Sequence, residues 1–154
     1  MEVSKEGIEL IKEFEGFCER AYLCPGLKWT IGYGHTQGVQ PGDVVTKEKA
    51  EELLKRDLKD AEEAVSNLIT VPLRQNQFDA LVSLVYNIGS GNFFDSTIRK
   101  VINYKVSDIN EYRLAWMKWV KAGGKKLKGL ERRRAAEFEL FKKGFNGDCI
   151  KKQL

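Results

Sequence analysis

Histidine is almost missing from this chain: one, His35, occurs among 154 residues. Cysteine and proline are scarce as well, at 3 each. Each scarcity excludes something. An odd and sparse cysteine count does not build the disulfide framework of a small secreted scaffold. One histidine and scattered cysteines, with no C-x-x-C or H-x-x-x-H spacing, leave no zinc ligand set, so neither a metal nor another cofactor is expected. No apolar run approaches the roughly 18 residues a bilayer-crossing helix needs, so no stable membrane insertion is expected. The opening residues mix Glu, Lys and Ile at helical spacing and do not read as a secretory signal. Low-complexity tracts and internal repeats are also lacking.

What is present suffices for one domain spanning residues 1–154. The chain is 42% hydrophobic and 10% aromatic, and a domain of this length buries roughly 70% of its unfolded surface. Its net charge of +4 hides an asymmetry. Residues 1–70 carry 9 basic and 14 acidic side chains, whereas residues 71–154 carry 17 basic and 8 acidic. The stretch from Lys118 to Arg134 holds eight basic residues against one acidic residue. Such a face suits nucleic acid, an anionic membrane or an anionic wall polymer, or it is simply solvated.

Hydrophobic spacing predicts mostly helix. Ser4 is placed to cap a first helix in which Ile8, Ile11 and Phe14 recur at three-residue steps, with Gly16 ending it. Glu15 then lies at a helix C-terminus, the end of the dipole that favours the protonated form of a carboxyl group. Between Tyr22 and Val45 the pattern changes. Pro25-Gly26 signals a turn, and Lys28 to His35 alternates with period two, so two or three short antiparallel strands are expected. Thr46 caps a helix of about 20 residues, roughly 30 Å long, with Ala50, Leu54, Leu58, Ala61, Val65 and Leu68 on one face. Gln75 to Ile88 is apolar almost all round and reads as a buried central helix, broken at 89–92. Further helices are expected from Phe94 to about Tyr104, from a cap at Ser107 or Asp108 to Gly123-Gly124, and from Leu130 to Phe141. In the last, Arg133 and Glu137 are spaced as an i,i+4 pair. The fold class is α+β, a small β-containing lobe beside a larger helical lobe, with a ligand cleft between them.

Glu15, Cys24 and Thr30 fall at the end of a helix, at a turn and in the following strand, so a helix–turn–strand unit brings them to one area. A carboxyl group that keeps its proton serves as a general acid, and a thiol and a hydroxyl opposite it hold a water. Spacing alone does not separate this arrangement from surface residues.

The run Glu15-Gly-Phe-Cys-Glu-Arg-Ala-Tyr-Leu-Cys24-Pro-Gly-Leu-Lys-Trp-Thr30-Ile-Gly-Tyr-Gly-His-Thr36 resembles the active-site segment of phage-type lysozymes, glycoside hydrolase family 24. That family places Glu, then Asp or Cys, then Thr at these intervals, leading into Thr-Ile-Gly-x-Gly-His. Further segments resemble it in order: Thr46 to Leu54, Pro72 to Gly89, Phe94 to Ile98, and the arginine-rich Arg132 to Phe141. The resemblance covers about residues 4–144. It implies the phage lysozyme fold, with a small lobe over about 13–58, a helical lobe over about 1–12 and 70–154, and a long connecting helix. It also implies an endolysin muramidase that hydrolyses the β-1,4 bond between N-acetylmuramic acid and N-acetylglucosamine in peptidoglycan and so lyses the host cell.

By this resemblance Glu15 is the general acid, and Thr30 with Cys24 positions the attacking water. Cys24 marks the subgroup that departs from the commoner Asp. With no cation close by in sequence and the Glu15 carboxyl near it, its thiol is expected to keep a high pKa and to be a poor nucleophile. Tyr86 and Asn87 fall at the family's cleft floor and Ser96 and Thr97 on the opposite wall, as candidate saccharide contacts. Helix capping for Ser96 and core packing for Tyr86 remain open. His35, Trp116 and Trp119 read as structural, Cys18 and Cys149 as free thiols, and Gly32 and Gly34 as points of close chain approach. The implied partner is peptidoglycan, with no nucleic acid, and the chain is expected to be a monomer. It would wait in the host cytoplasm until a holin releases it to the wall. Two alternatives stand beside this reading. One is a lytic transglycosylase acting on the same bond. The other is a non-catalytic wall-binding module using the Lys118 to Arg134 face.

Overall fold

The computed structural model describes residues 1–145; Cys149 lies outside them. Helix α1 (Lys5–Glu15) begins at Ser4, whose side chain accepts a hydrogen bond from the Gly7 amide at 3.3 Å. The Ser4 hydroxyl in turn donates to the buried Asp79 carboxylate. This ties the start of α1 to α3, and α1 packs on α3 and α7. Gly16 stops the helix with φ 71, a conformation that suits a residue without Cβ. Glu15 is therefore the last helical residue.

Strands β1 (Cys18–Leu23) and β2 (Trp29–Gly32) pair antiparallel, with Tyr22 opposite Thr30 and Leu23 opposite Trp29. The regular strand within 28–35 is thus shorter than its alternation predicts. The chain turns at Gly32, and His35 folds back to bridge with Ile31. Only Ala21 of β1 is buried, which leaves that strand little alternation to betray it. An isolated bridge between Arg20 and Val44 supplies the remaining pairing.

Helix α2 (Lys47–Leu68) is capped by the Thr46 hydroxyl and buries Ala50, Leu54, Leu58, Ala61 and Val65, the face its sequence spacing marks. It approaches β2 at Gly32, where an added Cβ would lie 3.0 Å from Ala50 Cβ. Helix α3 (Gln75–Ile88) is the centre of the molecule, with Phe78 through Val85 all buried. α2, α1 and α7 (Lys128–Lys142) all pack on it.

The remaining segments differ in detail from the sequence reading. The break after α3 is a single residue, Gly89, followed at once by the short α4 (Ser90–Phe94). The helix expected over 94–104 is divided at Asp95-Ser96, where Ser96 caps α5 (Thr97–Asn103) by accepting from the Arg99 amide. Asp108 caps α6 (Ile109–Trp116). Gly123-Gly124 does not end that helix, which stops at Trp116. The two glycines, at φ 57 and 80, form the turn of a hairpin between β3 (Lys121–Ala122) and β4 (Lys125–Lys126). Strands of two residues carry no periodicity, so only the turn left a trace in the sequence. Trp116, Phe93, Phe141, Leu81 and Leu84 form the deepest core, with the Trp116 and Phe141 rings 5.1 Å apart. Trp119 is half-buried against it.

Candidate active site

A cleft of about 510 Å³ opens beside the C-terminus of α1. Glu15, Gly34, Thr36, Gln37, Arg56, Asp57, Asp60, Tyr86 and Asn87 line it. The sequence-predicted Glu15, Tyr86 and Asn87 therefore meet in one place, although 71 residues separate Glu15 from Tyr86. A smaller space of about 170 Å³, shared by Asp57, Asp60 and Tyr86, continues it past Val85 and Gly89.

The surroundings of Glu15 hold more than the helix C-terminus that its sequence position marks. Arg133 Nη1 donates to Glu15 Oε2 at 2.7 Å, and the Arg133 side chain is only 5% exposed. Oε1 faces Gly34: a Cβ there would stand 2.8 Å from it and 3.6 Å from the Tyr86 hydroxyl. Glycine at position 34 thus provides the room that the carboxylate occupies. Close approach, the reading made for Gly32 and Gly34, describes both positions. Among the described residues Oε1 accepts no side-chain hydrogen bond, so the two oxygens are unequal. One is fixed by a guanidinium and the other lies against Gly34, which lines the cleft with Glu15.

Tyr86 is mostly buried, and its phenol is pushed well above its ordinary range, first by burial and then by the negative charges of Glu15 and Asp57. It stays a neutral hydrogen-bonding group at any physiological pH. His35 is buried at the back of this wall, with Nδ1 2.7 Å from Asp57 Oδ2. This pair joins the turn after β2 to α2, in keeping with a structural His35.

Cys24 and Thr30 meet at the turn end of the β1–β2 hairpin. Thr30 is buried, and its hydroxyl lies 3.1 Å from the Lys28 carbonyl and within reach of the Cys24 sulfur. Its single proton serves one acceptor at a time. The Cys24 thiol is shifted below the usual thiol range, chiefly because the Lys28 backbone N–H points at the sulfur and secondarily through the Thr30 hydroxyl. This direction is opposite to the sequence expectation. That reasoning looked for side-chain cations, whereas backbone N–H groups in the tight turn stabilise the thiolate instead. The Tyr22 phenol, raised first by burial, also feels Cys18, Cys24 and Glu15, which places it near all three.

Ser96 and Thr97 sit differently. Ser96 is 3% exposed, and its hydroxyl both caps α5 and donates to the Phe93 carbonyl at 2.7 Å. The capping alternative describes it. Thr97 accepts from Lys118 Nζ at 3.0 Å. Neither lines the Glu15 cleft. Sequence reasoning missed Arg133 as the partner of Glu15, along with Asp57, Gln37 and Arg56. The i,i+4 spacing of Arg133 and Glu137, present in the structure at 3.2 Å, was the one trace of the cluster behind the site.

A helix-terminal carboxyl group facing a cleft between a small sheet and a helical bundle is the arrangement of a lysozyme-like glycosidase. Comparison with known proteins makes this specific. The profile of the family described as phage lysozyme matches residues 12–137, and the chain belongs to that family. Its members are glycoside hydrolases, and this protein is a lysozyme. The chain is 45% identical over 145 residues to an endolysin of Acyrthosiphon pisum secondary endosymbiont phage 1, covering 92% of this chain and 98% of that one. It is 43% identical to the solved muramidase domain of SpmX from Asticaccaulis excentricus, with a TM-score of 0.84 over 91% of this chain and 97% of that one. A Haemophilus phage HP1 protein named SAR-endolysin is 32% identical over 146 residues, 88% of this chain and 78% of its own. Against the endolysin of Bacillus phage B103, 42% identical over 94% of this chain, the chain spans 55% of the relative's length.

Proposed function

We propose that this lysozyme cuts the β-1,4 bond between N-acetylmuramic acid and N-acetylglucosamine, with Glu15 as proton donor and with Cys24 and Thr30 holding the attacking water. The observation that carries the reading is the asymmetry of the Glu15 carboxyl group. Arg133 fixes Oε2 and leaves Oε1 against Gly34, which lines the cleft with Tyr86 and Asn87. A proton on Oε1 is then aimed where a glycosidic oxygen would lie, and general acid catalysis depends first on such aim.

Cys24 and Thr30 supply the second half. The Cys24 thiolate, favoured by its backbone and Thr30 donors, takes the proton of the attacking water, with a weaker basicity than an unperturbed thiolate has. A hydroxyl beside it orients that water. Direct attack by water inverts the anomeric centre, so the β bond yields an α product. Tyr86 and Asn87 are the saccharide contacts that line the cleft with Glu15; Ser96, buried and engaged as a cap, is not one, and Thr97 would act only from outside that cleft. On this reading residues of about 13–58 form the small lobe across the cleft from the helical lobe. The protein reaches the wall of a phage host from inside. Holin-dependent release is one route, and the relative named SAR-endolysin supports export as another.

Glu15→Gln tests the assignment. The amide cannot donate the required proton, so lysis of chloroform-treated Gram-negative cells should fall by a factor of about 100 or more, with the far-UV circular dichroism of the wild type retained. Wild-type lysis by this variant would refute it. Mass spectrometry of the products separates hydrolysis from transglycosylation, which would leave anhydromuramic ends.

A further inference from the structure

Behind the cleft lies a charged cluster that the reaction as described does not use. Glu137, on α7, is 0% exposed, yet each of its oxygens is engaged. Oε2 accepts from the Ser83 hydroxyl at 2.5 Å and from Arg133 Nε at 3.2 Å. Oε1 accepts from the Trp116 indole N–H at 3.1 Å and lies 3.2 Å from Arg134 Nε. Both guanidinium groups that contact this carboxylate continue to the cleft. Arg133 Nη1 donates to Glu15, and Arg134 Nη2 donates to Asn87 Oδ1. Arg133 Nη2 is tied back to the Ser83 carbonyl at 3.2 Å.

We propose that Glu137 is a positioning residue of the lysozyme reaction, which holds Arg133 against Glu15 and Arg134 against Asn87 so that proton donor and cleft floor keep a fixed relation. The inference rests on the reading of Glu15 as proton donor. Two arginines and two carboxylates make this cluster electrically balanced. The guanidinium groups sit on consecutive residues and repel each other, and Arg134, deeply buried, has its protonated form disfavoured by desolvation. Glu137 is the buried anion that lets both remain charged in place. A hydrophobic residue could fill its volume but would leave two buried cations facing Glu15 alone. The packing role is already served by Trp116, Phe138 and Phe141 around it, so the charge has a separate purpose.

The charged and titratable groups around Glu15 are Arg133 from α7, Tyr86 from α3, Arg56, Asp57 and Asp60 from α2 and Tyr22 from β1, with Arg134 behind Arg133. Neutralising Glu137 changes the sum of these charges by removing the anion that offsets the second arginine. The potential at the Glu15 carboxyl group then becomes more positive.

The test is Glu137→Gln, assayed by initial rates on purified peptidoglycan at 25 °C over a range of pH and substrate concentrations. A misplacement of the donor by about 1 Å is worth up to about a hundredfold in rate. The expected result is a fall in kcat of about tenfold or more, little change in KM, and an alkaline limb of activity moved to lower pH. In an Arg133→Met background the same substitution should cost less than about threefold, because its effect passes through Arg133. A merely structural Glu137 would lower the melting temperature and leave kcat and the pH limb at wild-type values well below that temperature; this result overturns the proposal. Should Glu137→Gln not fold, Glu137→Asp keeps the charge and withdraws the oxygens by one methylene. It should lower kcat with the pH limb unmoved, and a wild-type kcat would again overturn the proposal. A lytically active Glu15→Gln overturns the underlying reading, whereas an inactive one with an unaltered Glu137→Gln overturns the positioning role alone.

Discussion

Gly34→Ala offers a direct measure of how tightly the Glu15 carboxyl group, the proposed proton donor, is enclosed. The substitution has two costs that the structure separates. First, Gly34 has φ 88, a region where a side chain is strained by about 1–2 kcal/mol. Second, the new Cβ would stand 2.8 Å from Glu15 Oε1, short of an ordinary contact by about 0.6 Å. Glu15 cannot yield freely, because Arg133 holds its other oxygen. The expected total is about 2 kcal/mol of stability, or about 4–8 °C in melting temperature for a chain of this length. A displaced donor should also lower the lytic rate by about ten- to a hundredfold. Gly38→Ala is the control. Its φ is 73, and nothing lies within 4 Å of an added Cβ. It should lose about 1 kcal/mol to backbone strain, or about 2–4 °C, with an unchanged rate. Thermal melts by circular dichroism and turbidity clearance at 25 °C read both variants. Equal rates for Gly34→Ala and Gly38→Ala would refute the reasoning that Gly34 makes room for the reacting oxygen.

In a Cys18→Ser, Cys149→Ser background, Cys24 should be alkylated by iodoacetamide with a midpoint below the ordinary thiol value, because backbone and Thr30 donors favour its thiolate; a midpoint at or above that value would refute the shift. Cys24→Asp should remain active, and proton NMR of the first product should show the α anomer. A β anomer from the wild-type enzyme would instead mean retention and put the Cys24 sulfur back in contention as nucleophile. Reversing Lys125 and Lys126 to Glu, both exposed on the β3–β4 hairpin, should flatten the fall of lytic activity with salt. Melting temperature should barely change, since among the described residues the one ion pair lost, Lys126 with Glu131 at 3.6 Å, is exposed. An unaltered salt curve would mark this hairpin as a solvated face.

Much of this molecule is written locally. The apolar spacing from Ala50 to Val65, the caps at Ser4 and Thr46, and the stop at Gly16 each act within a few residues of themselves. A 3.6-residue period and a side-chain oxygen near free amides require no knowledge of the rest of the chain. That is why α1, α2 and α3 could be read from the sequence, together with the position of Glu15 at a helix end. The short hairpin of β3 and β4 and the division at Ser96 could not, since two-residue strands and single-residue breaks carry no period.

The state of the site belongs to tertiary structure alone. Arg133 reaches Glu15 across 118 residues, and Ser83 reaches Glu137 across 54. No local pattern encodes such pairings, because they arise when α1 and α7 pack on the same central helix and remove their charges from water together. The thiol of Cys24 follows the same rule at shorter range: its environment is set by where the turn aims the Lys28 amide, not by its sequence neighbours' charges. The sequence by itself determined which side chains could do the chemistry. Only the packed fold decided which oxygen of Glu15 is left without a side-chain partner among the described residues, because that depends on the buried Arg133 guanidinium reaching the other one.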